Sequence, residues 1–343
     1  MARVLAFLLG LMLLPGLAPA QATGISPWDD FKARFLADDG RVIDTGNDNV
    51  SHSEGQGYAM LLAVIAGDRP AFDRLWTWTQ ANLRRKNDAL FVWRYKAGAA
   101  DPVADKNNAT DGDIFIAWAL LRAAELWREP AFAAAAAEIR AAVRDKLTVE
   151  QGGRLLLLPG VEGFRRPAGT EGAAADYVVN LSYLVLPAFR AFAAAAPGEG
   201  WDRLAADSLA LLRDARFGRY GLPPDWLLVT ADGRLAPAGG WPPRFGFDAL
   251  RVPLYLAWGR AGADQFDALH RYFAAFAAGL PAWVDLSTGA VADFAGRRSL
   301  YAIAGLVLGA RNPLLEVPRP DDDYYTAIVA LLAGAAWTDL QAP

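Results

Sequence analysis

Cysteine is absent from the 343 residues, and histidine occurs twice, as His52 and His270. No disulfide can form, so outside the reducing cytosol the fold must rely on its core. A zinc or copper site built from histidine and cysteine lacks its ligands, and no cofactor is expected. Positive charge is also scarce. The 34 Lys and Arg are outnumbered by 38 Asp and Glu, leaving a formal charge of −4, and nothing basic enough to suit nucleic acid is visible. There is no P-loop for phosphoryl transfer. No G-x-S-x-G elbow or convincing Ser/His pair speaks for acyl transfer. No Pro/Ser-rich linker or charge block divides the chain, which points to one large domain.

Long hydrophobic runs are missing too. The longest at the N-terminus, Val4 to Leu14, is too short to span a bilayer easily. It follows Arg3 and leads to Ala18-Pro19-Ala20, a small-x-small cleavage signal. Residues 1–20 therefore read as a secretory signal peptide and residues 21–343 as the exported, periplasmic or secreted, domain, with no stable membrane span.

What is present is apolar and helical. Hydrophobic residues make up 54% of the chain, and the periodicity is helical almost throughout. Two kinds of segment alternate. Residues 71–84, 131–147, 201–213 and 264–277 are amphipathic, with one wet face. Residues 58–66, 114–121, 181–189, 249–258 and 300–309 are apolar nearly all round and must be buried on every side. A polar cluster stands before each of these, and a sixth such cluster, "DDDYY", stands near 321. The architecture that uses both kinds is all-α: an (α/α)6 barrel, with buried helices inside and amphipathic ones outside. All inner N-termini then gather at one end, together with their unpaired N–H groups and positive dipole ends.

Three of the clusters carry acids. In "SHSEGQGYAM", Ser53 and Gln56 fit a capping box, but Glu54 and the flanking Gly55 and Gly57 are left over. Glycine at these positions suggests that something approaches the backbone closely. "ATDGDIFIAWALLRAAELW", residues 109–127, repeats the device. Thr110 can cap, Asp113 can complete the box, Gly112 clears space, and Asp111 takes the place that Glu54 holds in the first motif. Asp113 reads as more structural than catalytic. In "RFGFDALRVPLYLAW", Asp248 precedes Arg251 by three positions, so both can share a helix face. A guanidinium there would lower the pKa of Asp248. Pro253 argues for a break or kink. Trp93, Trp226 and Trp241 lie in loop-like contexts, and amphipathic aromatics beside carboxylates suit a sugar. Two acids with separated roles are what glycoside hydrolysis requires.

These segments resemble glycoside hydrolase family 8. "ATDGDIFIAWALLRAAELW" is similar to the family signature, "SEGQGYAMLLAV" to its catalytic-acid segment and "FGFDALRVPLYLAW" to the segment with its catalytic base. The resemblance implies an (α/α)6 barrel that inverts the anomeric centre. Glu54 becomes the general acid, protonated at the start, and Asp248 the general base. Asp111 becomes the central aspartate that holds and distorts the reacting sugar. Tyr183, in "NLSYL", matches a family tyrosine near the attacking water, although Leu181 stands where the family commonly has proline. Arg251 would orient Asp248. Trp93 and Asp113 complete the expected substrate-binding set. The implied partner is a β-1,4-glucan chain such as cellulose, with an exported role beside bacterial cellulose synthesis and its synthase machinery. Family relatives also cut chitosan, xylan or mixed-linkage glucan. A protein of the cell envelope that binds or scaffolds glucan without cutting it is the rival reading.

Overall fold

A computed structural model describes residues 26–167, 175–309 and 319–342. The signal-peptide segment expected at residues 1–20 lies outside them. Among the described residues the helices are α1 (Pro27–Phe35), α2 (Ser53–Ile65), α3 (Arg69–Leu83), α4 (Thr110–Trp127), α5 (Pro130–Leu147) and α6 (Leu186–Ala195). They continue with α7 (Trp201–Asp214), α8 (Val252–Trp258), α9 (Asp267–Ala275), α10 (Arg298–Val307) and α11 (Tyr324–Gln341). Proline fixes several of their starts. Pro27, Pro70, Pro130, Pro187 and Pro253 all fall in a first turn, where the missing N–H costs nothing. Pro253 therefore opens α8 rather than kinking it, and a 3₁₀ turn over Ala249–Arg251 leads in.

The six apolar helices form a closed ring. α2 packs on α4, α4 on α6, α6 on α8, α8 on α10, α10 on α11, and α11 on α2. α3, α5, α7 and α1 back onto α2, α4, α6 and α11 from outside. This is an (α/α)6 barrel. At its centre α2, α4 and α8 meet through aromatic rings. Tyr58 sits edge-on to Phe115 with centroids 4.5 Å apart, and the Tyr58 and Tyr255 hydroxyls are 3.0 Å apart. All three residues are fully buried. No helix among the described residues is long and apolar enough to cross a membrane.

The connections carry strands that the helical periodicity did not reveal. Four antiparallel strands, Arg165–Arg166, Asp176–Val179, Leu227–Val229 and Leu235–Pro237, make one sheet. Tyr177 pairs with both Arg165 and Val229. Two-residue ladders matter more for the site. Ser51 and His52 pair with Tyr95 and Arg94, and Arg244 and Phe245 pair with Asp285 and Val284. These ladders hold the residues that enter α2 and precede Asp248.

Candidate active site

The starts of α2 and α4 are joined by the segment around Trp93. Ser53 N donates to Trp93 O (3.1 Å), and Trp93 N donates to Asn107 O (3.0 Å). The glycines then let the two helices touch. A Cβ on Gly57 would lie 2.7 Å from Phe115 Cβ and 3.0 Å from Ile116 N. A Cβ on Gly112 would lie 2.2 Å from Ser53 Oγ and 2.8 Å from Glu54 N. What approaches the backbone of Gly57 and Gly112 is therefore the neighbouring helix. The crossing brings Glu54 and Asp111 together.

The expected capping boxes do not form. His52 caps α2, its Nδ1 accepting from Gly55 N (3.1 Å). Ser53 lies inside the helix with no partner for its hydroxyl. Gln56 is fully buried and reaches outward instead, accepting from Val42 N (2.7 Å) and donating to Thr79 Oγ1 (2.9 Å). Thr110 donates to Leu158 O (2.6 Å). Asp113 is corrected as well. It is fully buried and does not line the cleft. Its carboxylate accepts from Phe91 N (2.8 Å) and Asn108 Nδ2 (2.7 Å), so it braces the loop before α4 and cannot hold substrate. A box needs the side chain to turn back on its own helix, and here Gln56, Thr110 and Asp113 find partners in neighbouring segments instead.

Arg251 is the hub. It is buried, and its Nη2 lies 3.1 Å from Asp248 Oδ1, 3.3 Å from Glu54 Oε2 and 3.7 Å from Asp111 Oδ2. The same nitrogen donates to Ser182 Oγ (2.8 Å), whose hydroxyl donates to Asn180 Oδ1 (2.7 Å). Three acids from three inner helix starts thus converge on one guanidinium. The cleft over them, about 420 Å³, is lined by Trp93, Tyr183, Phe247 and Tyr325 besides Glu54, Asp111, Asp248 and Arg251. Trp93 anchors its indole N–H on Asp105 (2.7 Å). Trp226 and Trp241 lie off this cleft. They stack on each other at 4.8 Å, and Phe164 stacks on Trp226 at 5.8 Å.

Burial changes the charge assignments. It pushes the Asp248 carboxyl up to about 6, against the pull of Arg251. The expected lowering is overturned, because Arg251 divides its charge among three carboxyls while desolvation acts on Asp248 in full. Burial also raises Glu54, but Arg251 and the contact with Asp111 outweigh it, and the net shift is downward. Asp111 moves the other way. Burial, then the charge of Glu54, lift it well above the usual carboxylate range. The two carboxyls act on each other directly, one raised and the other lowered, so they share a proton. Asp111 Oδ1 accepts from Gly112 N (2.8 Å), whereas the buried Oδ2 has no donor from the rest of the protein. The pair titrates as a unit.

Several residues of the site escaped the sequence reading. Asp225, in "PPDWL", holds the Asp248 segment by accepting from Gly246 N (2.9 Å) and Ala249 N (2.8 Å). Tyr325 OH donates to Phe247 O (2.5 Å) and accepts from Arg251 Nη1 (3.4 Å). Ser182 and Asn180 stand beside Tyr183 in "NLSY", and Tyr325 belongs to "DDDYY". The polar clusters marked the right places without saying which member turned inward.

The family model for glycosyl hydrolases family 8 matches residues 1–339. An endoglucanase of Cellulomonas uda is 45% identical over 87% of this chain and 80% of its own. A probable endoglucanase of Novacetimonas hansenii is 41% identical over 92% of this chain and 91% of its own. The crystal structure of endoglucanase Cel10 from Klebsiella pneumoniae superposes with a TM-score of 0.87 at 43% identity, covering 92% of this chain and 99% of that one. Endo-β-1,4-glucanase CMCax from Acetobacter xylinum gives 0.84 at 39% identity, covering 91% and 97%. With the barrel, the three converging acids and these relatives in place, the chain is a glycoside hydrolase and belongs to glycosyl hydrolases family 8.

Proposed function

We propose that the protein is an endo-1,4-β-glucanase that cuts β-1,4-glucan with inversion. The observation that carries this reading is the convergence of Glu54, Asp111 and Asp248 on Arg251 at the floor of an open cleft. Asp248 is the general base. It takes a proton from a water that attacks the anomeric carbon, and Tyr183 borders that water. Glu54 is the general acid and protonates the departing glycosidic oxygen. The proton shared with Asp111 needs to cross only one hydrogen bond to reach Glu54. Asp111 then accepts from a hydroxyl of the reacting sugar and holds that ring in a distorted shape. Trp93 offers an aromatic face to a neighbouring sugar. Arg251 keeps the acids apart in role by fixing their positions.

The relatives named endoglucanase, similar over most of their length, support β-1,4-glucan as the substrate class. Residues 1–20 support export to the periplasm or beyond, where a cellulase of this kind would serve bacterial cellulose synthesis beside the synthase machinery. Residues 21–343 form one catalytic domain. The test is reducing-sugar release from carboxymethylcellulose, with chitosan and xylan in parallel. Release from carboxymethylcellulose, lost in Glu54→Gln, upholds the reading. Cleavage of chitosan or xylan alone moves the substrate within the family. Binding to cellulose with no release from any of the three polymers leaves a binding protein and overturns it.

A further inference from the structure

Glu54 is held from a side that the mechanism above does not use. His52 immediately precedes α2 and lines the same cleft. Its Nδ1 accepts from Gly55 N (3.1 Å), which leaves the proton of a neutral ring on Nε2. Nε2 faces Asp44 Oδ2 at 3.1 Å, so the imidazole bridges a carboxylate and a helix start. Asp44 is itself fixed. Its N–H donates to Val50 O (2.8 Å), and its Oδ1 accepts from Gly46 N (3.0 Å). The intervening turn holds Asp48 and Asn49 at φ of 56° and 53°, in the left-handed region that Asp and Asn adopt more readily than other side chains. Tyr324, from α11, closes the other face, with its ring edge-on to His52 at 5.6 Å. A Cβ on Gly55 would lie 2.4 Å from Tyr324 Oη and 3.2 Å from His52 Nδ1. Gly55 is therefore glycine because this clamp leaves no room for a side chain.

Glu54 stands between His52 and Gly55, the two residues that the clamp ties together. We propose that His52, oriented by Asp44, is a positioning residue that holds the first turn of α2 so that the Glu54 carboxyl stays in register with Asp111 and Arg251. The proposal rests on Glu54 being the general acid. An acid that must meet a glycosidic oxygen tolerates little displacement, and a misplacement of about 1 Å costs on the order of a hundredfold in rate. A second hydrogen bond on the far side of the ring fixes its rotation, which a simple cap would leave free.

The experiment compares two substrates. Unactivated cello-oligosaccharides need the acid. An aryl cello-oligosaccharide with a dinitrophenyl leaving group does not, because that group departs without protonation. His52→Ala should lower kcat on cellohexaose roughly tenfold to a hundredfold with KM nearly unchanged, while the activated substrate loses less than about threefold. Asp44→Ala should follow the same split, and Asp44→Asn, which keeps an acceptor, should restore most of it. Equal losses on both substrates, or a lower Tm with kcat unchanged, would make His52 a structural cap and overturn the proposal. If His52→Ala does not fold, the Asp44 pair carries the test. Glu54→Gln is the reference. If that variant keeps full turnover on cellohexaose, the assignment of the acid fails, and the failure is seen separately from any effect of His52.

Discussion

Ser53 and Gly112 oppose each other so closely that a Cβ on Gly112 would fall 2.2 Å from Ser53 Oγ and 2.7 Å from Ser53 Cβ. The contact sets how near α2 and α4 come, and so how near Glu54 comes to Asp111. Gly112→Ala should destabilise the protein by about 1–3 kcal/mol, as overpacking of a tight contact does. It should also lower kcat, because the two acids separate. Thermal unfolding and turnover on carboxymethylcellulose measure both. Gly239→Ala, with open space around it, is the control. A Gly112→Ala enzyme with normal Tm and normal kcat would show that the crossing does not govern the site.

The pH profile should be bell-shaped. Asp248 must be ionised to accept a proton from water, and burial places it at about 6, so kcat/KM should fall below that pH. The alkaline limb belongs to the proton shared by Glu54 and Asp111. Asp111→Asn removes the carboxylate that shares it and leaves Glu54 beside Arg251, which favours its ionised form. The alkaline limb should then move to lower pH, with turnover reduced more than the binding of long oligosaccharides. An unmoved limb in that variant would separate Asp111 from the catalytic proton.

Asp113 should govern stability and leave chemistry alone. Burial pushes it from the usual 3.8 up to about 8, with Asn108 and Phe91 pulling against the rise. A carboxyl raised in this way keeps its proton in the folded chain after the unfolded chain has lost it. Its contribution is therefore full below about 4 and is lost as pH rises through 8. Asp113→Asn should cost about 1–3 kcal/mol through a buried donor left unpaired, and should flatten the decline of Tm between pH 5 and 8. The slope of Tm against pH in the two proteins decides it. An unchanged slope would mean that other groups set it.

Stereochemistry tests the division of roles between Glu54 and Asp248. They approach the same guanidinium nitrogen from different helix starts, Glu54 at 3.3 Å and Asp248 at 3.1 Å. A water between base and sugar requires carboxyls roughly 6.5–9.5 Å apart, whereas a retaining pair stands at about 5–5.5 Å. The first product from a β-glucan should carry the α-anomer before mutarotation, as NMR would show. Early β-anomer would refute inversion even if cellulose is cut.

Helical period and the alternation of wet and dry segments are local properties, so the barrel was legible in the sequence. So were the three acids, because each stands in an unusual polar cluster before an apolar helix, and Arg251 follows from its spacing to Asp248. Which partner each polar group takes was decided by tertiary structure. Gln56, Thr110 and Asp113 had a local option, the capping box, and took Thr79, Leu158 and Phe91 instead, which come within reach only in the folded chain, while Ser53 fell inside α2 with its hydroxyl unpartnered. Protonation was decided in the same way. Spacing along one helix paired Arg251 with Asp248 alone. In the folded barrel the guanidinium also serves Glu54 and Asp111, which no interval in the sequence brings together. Burial lifts Asp111 and Asp248, while Arg251 and Asp111 bring Glu54 below its ordinary value against the same burial. Sequence could name the acids because their types and local settings are covalent facts. Their charges depend on desolvation and on neighbours more than fifty residues away, and those exist only in the folded protein.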